Sequence, residues 1–383
     1  MDFKLSEELV AIRDLARDFA QKEIAPIVEE DEKHHIFRPE IVKKMGDLGF
    51  FGVVMPEEWG GTNMGLLASV IITEEIARVS ASYGLPFNMQ TIGPGLTILK
   101  HGTEEQKQKY LPGLISGDLF GCFAITEPNS GSDVASMKTT ATEEEDCFVL
   151  NGQKMWISNA DVADMGLVYA YTDRSKGAKG ISCFAVDLKN TPGITCPTIE
   201  NKLGLHCAPC GEIIFDNARI PKSALIGERG DGFKICMWQL DNTRLSCAAR
   251  AVGVARGCLE ESVKYANERT QFGQPIADFQ MIQDQIAQMA VEVDAARLLV
   301  WRAAYNRDQG ARNTLEVSMA KYFSAETANK AAGDAMKIHG SYGYSSEYPV
   351  ERYFRDAKSY QVVEGTSNIQ KVIIAGFALG KRK

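Results

Sequence analysis

Histidine is scarce in this chain, five residues in 383, and the five are badly placed for a metal. His34 and His35 are adjacent, while His101, His206 and His339 stand alone. A metal site needs ligands paired at short, defined spacings, so none is expected. The nine cysteines are an odd, scattered set, which argues against a disulfide-stapled secreted fold and for buried thiols in a reducing compartment. One CxxC, Cys207-Ala208-Pro209-Cys210, lacks both a second ligand pair and the helix-start context of a redox motif. It reads as two incidental thiols. No apolar run is long enough to cross a bilayer, and residues 1–8 carry no leader-like stretch. A cytoplasmic protein without a membrane partner is expected. Positive charge is in deficit, with 42 Lys and Arg against 50 Asp and Glu and a net charge of -8. That argues against a nucleic-acid-binding surface and leaves room only for a local basic pocket. There is no phosphate-loop lysine motif, and residues 227–232 lack the order of a dinucleotide fingerprint.

What is present is ordinary globular material, 45% hydrophobic and 24% charged, long enough for two or three domains. Leu9, Ile12, Leu15, Ala16 and Phe19 recur at helical spacing. Further helices fit residues 39–48 and 64–79, the latter apolar on most faces and so buried on several sides. Thr103 with Gln106 forms a capping box, and Gly117 ends this region. The texture changes near Phe120. Short apolar runs alternate with turn signals: residues 148–157 read as strand, Asn151-Gly152 turn, strand, followed by strands at 167–171, 181–186 and 213–215. Four long helical segments then follow, at 240–263, 282–300, 317–337 and 369–379, with Gly253 and Gly257 permitting close approach of a neighbour. The expected fold class is α+β, arranged helix–β–helix: a helical domain over 1–119, a β-domain over 120–228 and a helical bundle over 229–383.

Three places could hold chemistry. Residues 124–133, Ala-Ile-Thr-Glu-Pro-Asn-Ser-Gly-Ser-Asp, crowd small hydrogen-bonding groups into a turn after a strand. They could hold a polar ring or a pyrophosphate, and an ordinary polar loop explains them equally well. Trp156 and Ser158 set a hydroxyl beside an aromatic. Glu364 lies between the apolar Val362 and Val363 and a Gly turn, just ahead of a helix. Partial desolvation there would strengthen a carboxylate as a base, and a helix-start acid facing the helix dipole is the plainer alternative.

Together these residues resemble the flavin-dependent acyl-CoA dehydrogenase family. Four blocks carry the resemblance, in family order across essentially the whole chain: residues 124–133, Trp156-Ile157-Ser158-Asn159, Glu268-Arg269-Thr270-Gln271-Phe272-Gly273, and 360–366. The resemblance implies an N-terminal helical domain, a middle β-domain and a C-terminal four-helix bundle, assembled as a homotetramer. It implies FAD as cofactor and an acyl-CoA substrate oxidised to the 2-enoyl-CoA. Glu364 would take the Cα proton, flavin N5 the Cβ hydride, and electron-transfer flavoprotein the electrons. Phe123, Ile125, Thr126, Trp156 and Ser158 match residues around the flavin. Arg269, Gln271 and Phe272 match the segment a neighbouring subunit offers to the FAD pyrophosphate and adenosine, and Thr366 and Asn368 match positions on the other side. Lys337, Gly340 and Ser341 fall in a glycine-rich cofactor-contacting turn, although Lys337 and Ser341 replace commoner Gln and Gly. Ser132, Asp241 and Arg244 match contacts to CoA. Phe87, Thr91 and Leu240, with Gly365, would line the acyl site.

Two departures shape the expected substrate, and a third falls near the cofactor. Val363 stands where Tyr is common before the base, which leaves room for a short, branched or cyclic acyl group. Gly84 follows Tyr83 where glutaryl-CoA-specific members carry Arg, so a dicarboxylic substrate loses that counter-charge. His206 and Cys207 replace commoner residues near the cofactor. An oxidase passing electrons to oxygen and a non-catalytic CoA-binding scaffold are the competing readings.

Overall fold

The computed structural model describes residues 4–382. α1 (Glu7–Phe19) starts where the Ser6 hydroxyl accepts the Leu9 N–H, and it runs into a π-helical turn at Ala20–Ile24. α2 (Val28–His34) and α3 (Pro39–Asp47) follow. α4 (Gly65–Val79) is buried nearly all round, as its apolar faces require. A wide π-helical segment at Asn88–Gly95 leads into α5 (Leu96–His101). α6 (Glu104–Ser116) is closed at its start by the Thr103–Gln106 capping box and at its end by left-handed Gly117.

Eight strands form one sheet: β1 (Gly121–Ala124), β2 (Thr140–Glu143), β3 (Cys147–Ser158), β4 (Met165–Tyr171), β5 (Ile181–Asp187), β6 (Ile194–Thr195), β7 (Cys210–Pro221) and β8 (Leu225–Ile226). Their order is β6-β7-β3-β2-β4-β5-β8, and β1 joins β4 in parallel. The structure corrects the expected hairpin at Asn151-Gly152, which is a bulge inside one continuous twelve-residue strand. The partner strand β7 is long enough to pair with both halves. Gly152 is required for packing, since a Cβ there would stand 2.6 Å from the Thr139 hydroxyl.

The remainder is helical: α7 (Gly232–Glu268), α8 (Gln280–Asp308), α9 (Thr314–His339), α10 (Val350–Tyr360) and α11 (Ser367–Ala378), with a small hairpin of β9 (Thr270–Gln271) and β10 (Gln274–Pro275) between α7 and α8. The periodicity reading gives four of these helices. The short α10 is the addition, and it buries Val350, Tyr353, Ala357 and Tyr360 on one face. α4 packs against α7 across Gly253 and Gly257, where a Cβ would meet the Glu74 and Arg78 carbonyls at 2.6 and 2.7 Å. Glu74 and Glu75 of α4 are buried there and are clasped by Arg17 of α1, Arg256 of α7 and Arg297 of α8. Among the described residues no helix is long and apolar enough to cross a membrane, and no group of His, Cys, Asp and Glu could hold a metal ion.

The loop after β1 is anchored by a buried ion pair, Lys154 Nζ to Glu127 at 2.8 Å. Glu127 also accepts from the Thr139 hydroxyl and the Lys138 and Thr139 N–H groups. Burial alone would raise its pKa, but Lys154 and these bonds outweigh burial and lower it. Replacing Lys154→Met leaves that carboxylate buried and uncompensated, with an expected loss of about 3–5 kcal/mol. Urea unfolding of the FAD-loaded protein measures it, and an unmoved midpoint would show that the pair is dispensable.

Candidate active site

Glu364 sits in the turn between α10 and α11, in a left-handed conformation (φ 58°) followed by Gly365 (φ 86°). A left-handed non-glycine residue costs on the order of 1–3 kcal/mol and persists only when its surroundings fix it. Here they do. The Glu364 carbonyl accepts from Arg244 Nε at 3.0 Å and Gln370 Nε2 at 3.2 Å. The Gly365 carbonyl accepts from Lys321 Nζ at 2.7 Å and Gln370 Nε2 at 3.0 Å. Burial pushes the Lys321 ammonium down from the usual lysine range, against the pull of Cys247 and Glu364. A Cβ at Gly365 would stand 2.8 Å from Gln370 Nε2, so glycine is required there. Thr366 then caps α11 by accepting the Ile369 N–H.

The carboxylate is held by two further elements. Oε1 accepts from Asn88 Nδ2 at 3.1 Å, and Oε2 accepts from the Thr243 hydroxyl at 2.7 Å. Asn88 opens the π-helical segment, and Thr243 lies on α7. Phe87, Thr91 and Leu240 are buried on the same two elements or next to them. Arg244 is buried too. It pairs with Asp241 at 3.1 Å, and Asp241 accepts from Thr314 at 2.7 Å, so both residues act on the Glu364 turn whatever else they touch. Asn88, Thr243, Lys321 and Gln370 were not among the residues singled out from the sequence. Each lies on a separate helical element, and its type alone is unremarkable.

The β-domain presents a second set. Phe123 lies in β1 with its ring against Gly93 of the π-helical segment, where a Cβ would stand 2.9 Å away. That contact links the β-domain to the segment carrying Asn88. Ile125 is buried and Thr126 half-buried. The Thr126 carbonyl accepts the Met155 N–H at 2.9 Å, which brings β3 alongside. Trp156 is 54% exposed despite its size and is left-handed (φ 60°), with half-buried Ser158 nearby on the strand. Ser132 and Asn368 are exposed.

A third set is wholly on the surface. Arg269 and Gln271 are exposed, and Phe272, at the tip of the β9–β10 hairpin, is 93% exposed. The Arg269 guanidinium lies 5.9 Å from the Tyr342 ring, beside exposed Gly340 and Ser341, and Lys337 pairs with Asp334 at 3.0 Å. No hydrogen bond joins this face to the Glu364 cluster among the described residues. Cys207 is buried and donates to Glu32 at 3.0 Å, and burial pushes its thiol far above the usual range. Cys210 is likewise a free, buried thiol.

Comparison with known proteins agrees with this arrangement. The acyl-CoA dehydrogenase N-terminal domain matches residues 6–118, the middle domain 122–218 and the C-terminal domain 230–379. The chain is 50% identical over 387 residues to a protein named glutaryl-CoA dehydrogenase from Desulfococcus multivorans, covering 100% of this chain and 99% of that one. It is 44% identical to the caffeyl-CoA reductase-Etf complex subunit CarC of Acetobacterium woodii, covering 98% and 99%. A solved glutaryl-coenzyme A dehydrogenase glutaryl-CoA complex superposes with a TM-score of 0.98 at 49% identity, over 100% of this chain and 98% of that one. The chain belongs to the acyl-CoA dehydrogenase family and is an FAD-dependent enzyme of it.

Thr243 bonds the carboxylate itself, so Thr243→Val frees one oxygen of Glu364 without touching the backbone anchors. Flavin reduction in single turnover should slow by about 10–100-fold, the usual cost of a misplaced reacting group. An unaltered rate would show that Thr243 does not orient the acid.

Proposed function

We propose that this enzyme removes hydrogen across the Cα–Cβ bond of an acyl-CoA thioester, with Glu364 as the base. The observation that carries this reading is the Glu364 carboxylate, fixed from two elements while both carbonyls of its turn are tied to buried side chains. A base built this way meets a substrate proton at a set position with little reorganisation.

The residues present suit FAD. Trp156 offers an exposed aromatic side chain, and half-buried Thr126, on the loop bonded to β3, and Ser158, on β3 itself, add hydroxyls to the same part of the β-domain. Arg269 is an exposed guanidinium, apt for planar bidentate recognition of a pyrophosphate. Bound there, FAD supplies the two-electron oxidant that takes the hydride from Cβ. The chain's own work is with the proton and the thioester. Glu364 takes the Cα proton. Its backbone N–H donates to no carbonyl among the described residues, which leaves it for the thioester oxygen, where negative charge develops. Phe87 and Leu240 give the acyl chain an apolar seat and exclude water. Val363, half exposed beside the base, leaves space for a short, branched or cyclic acyl group.

The Arg269-Gln271-Phe272 hairpin fits contact with a neighbouring subunit's cofactor in a homotetramer, since the Phe272 ring stays 93% exposed on the hairpin tip even with its edge-to-face contact to Phe279, and so large an exposed apolar group suits an interface. Electron-transfer flavoprotein is the proposed electron partner. The CarC relative is named as part of such a complex and as a reductase. The same proton and hydride transfers run in either direction, and the partner's potential decides which. Cysteines that are all free and nearly all buried suit a cytoplasmic setting.

In Glu364→Gln, anaerobic reduction of the flavin by butyryl-CoA should slow by at least ~10³-fold, in the range of a lost general base, with FAD still bound. Reduction at the wild-type rate would place the base elsewhere. Fast reoxidation of the reduced wild-type enzyme by air alone, not hastened by electron-transfer flavoprotein, would favour the oxidase.

A further inference from the structure

Among the described residues Arg250 is the largest fully buried side chain, 2% exposed. Its Nε is buried without a partner, and among the described residues the guanidinium makes no ion pair or hydrogen bond. A buried cation left alone is among the costliest arrangements in a protein interior. The other buried cations near the site are all engaged: Arg244 with Asp241, Lys321 with the Gly365 carbonyl, and Lys154 with Glu127. Asp356, one turn before Tyr360 on α10, is turned to the Leu205 N–H at 2.6 Å instead.

The position of Arg250 is informative. It lies seven residues, two helical turns, after Thr243 on α7, so both side chains leave the same face. Helical side chains lean toward the N-terminus, so Arg250 leans toward Thr243 and the Glu364 carboxylate bonded to it. Its stem crosses Gly84, where a Cβ would meet Cγ at 3.0 Å and Cδ at 3.1 Å. Gly84 lies one turn before Asn88, the other residue bonded to that carboxylate. The guanidinium stands 5.8 Å from the ring of Tyr360, whose hydroxyl is buried without a partner, as is Asn88 Oδ1. Two elements that hold the base therefore converge, further along, on an unpaired guanidinium and an unpaired phenol.

We infer that Arg250, with Tyr360, forms the seat for a carboxylate at the far end of the acyl chain, making the preferred substrate the CoA thioester of a short dicarboxylic acid. This rests on the reading of Glu364 as the base. Two turns of α7 span about 10 Å, and the Arg250 side chain leaning back shortens the gap to a chain of roughly four to six carbons. A carboxylate supplies the missing charge and can accept from both Arg250 and Tyr360. Burial keeps the phenol protonated, so it remains a donor.

The test compares kcat/KM for glutaryl-CoA, its ω-methyl ester and butyryl-CoA on the FAD-loaded enzyme, following flavin reduction. The wild type should favour glutaryl-CoA over the ester by about 100-fold, as for a desolvated, hydrogen-bonded charge pair. In Arg250→Met the glutaryl-to-butyryl ratio should collapse by a similar factor, while Arg250→Lys keeps part of it. Equal rates for the acid and its ester in the wild type would overturn the inference without requiring any variant to fold. So would an Arg250→Met enzyme that slows with all three thioesters alike, since the arginine would then be packing only. If butyryl-CoA reduces the flavin and glutaryl-CoA does not, the carboxylate seat falls and the base assignment stands. If no thioester reduces it, both fall.

Discussion

The left-handed turn at Glu364 and Gly365 is the constraint on which the site depends. A backbone in that conformation would relax if left to itself. It is held because each of its two carbonyls accepts two hydrogen bonds, from donors on α7, α9 and α11. The base can therefore sit at the end of a helix without the mobility usual for a loop. Three charged or amide side chains are removed from water to achieve this, and Lys321 in particular is buried with its hydrogen bond going to the Gly365 carbonyl and Glu364 and Glu326 acting on it only through their charge. Such an arrangement makes little sense as a stability device, because burying an ammonium costs more than one hydrogen bond to a carbonyl returns. It makes sense as positioning.

The rest of the fold carries that turn into register with the other domains. α10, which ends just before it, is tied to the N-terminal region through the Tyr353 hydroxyl on the Arg78 carbonyl and Arg352 on the Val79 carbonyl. It is tied to the loop ahead of β7 through Asp356 on the Leu205 N–H. That loop is in turn held by Glu32 of α2, which accepts from Cys207. Asp356 is raised to about 7, chiefly by burial and then by Glu32, so two acids meet where three parts of the chain join. The geometry of the base is thus set by contacts well away from it.

Much of the architecture was legible from the sequence, because long segments with apolar residues at helical spacing mark helices and short apolar runs between turn signals mark strands. The failures have local causes. Asn151-Gly152 carries the strongest hairpin signal in the chain, yet the twelve-residue partner strand β7 keeps both flanks paired, and tertiary pairing overrides the dipeptide. α10 is short, and no long run announces it. In the site, Glu364 could be found because its neighbours are unusual. Asn88 and Thr243 could not: they lie 276 and 121 residues from the acid they hold, and an asparagine or a threonine in a helical segment has no periodic or compositional mark. A π-helical segment at residues 88–95 is also invisible to a 3.6-residue pattern, and it carries Asn88 to the carboxylate and Gly93 to the Phe123 ring.

The same reasoning separates what a glycine says in sequence from what it does in space. Read alone, Gly84 is a lost side chain, and the charge that position could have carried is missing. In the fold it is an opening. With no Cβ at 84, the stem of Arg250 passes from α7 across the N-terminal region, and the cation reappears in the same neighbourhood from another helix. The sequence read by itself shows a glycine at 84 and an arginine within a long helical run at 250, and it assigns neither a role. Only the packing shows that one vacancy admits the other residue. A charge can therefore move between elements while its place in space is kept, so substrate preference in such a pocket has to be read from which charges remain unpaired.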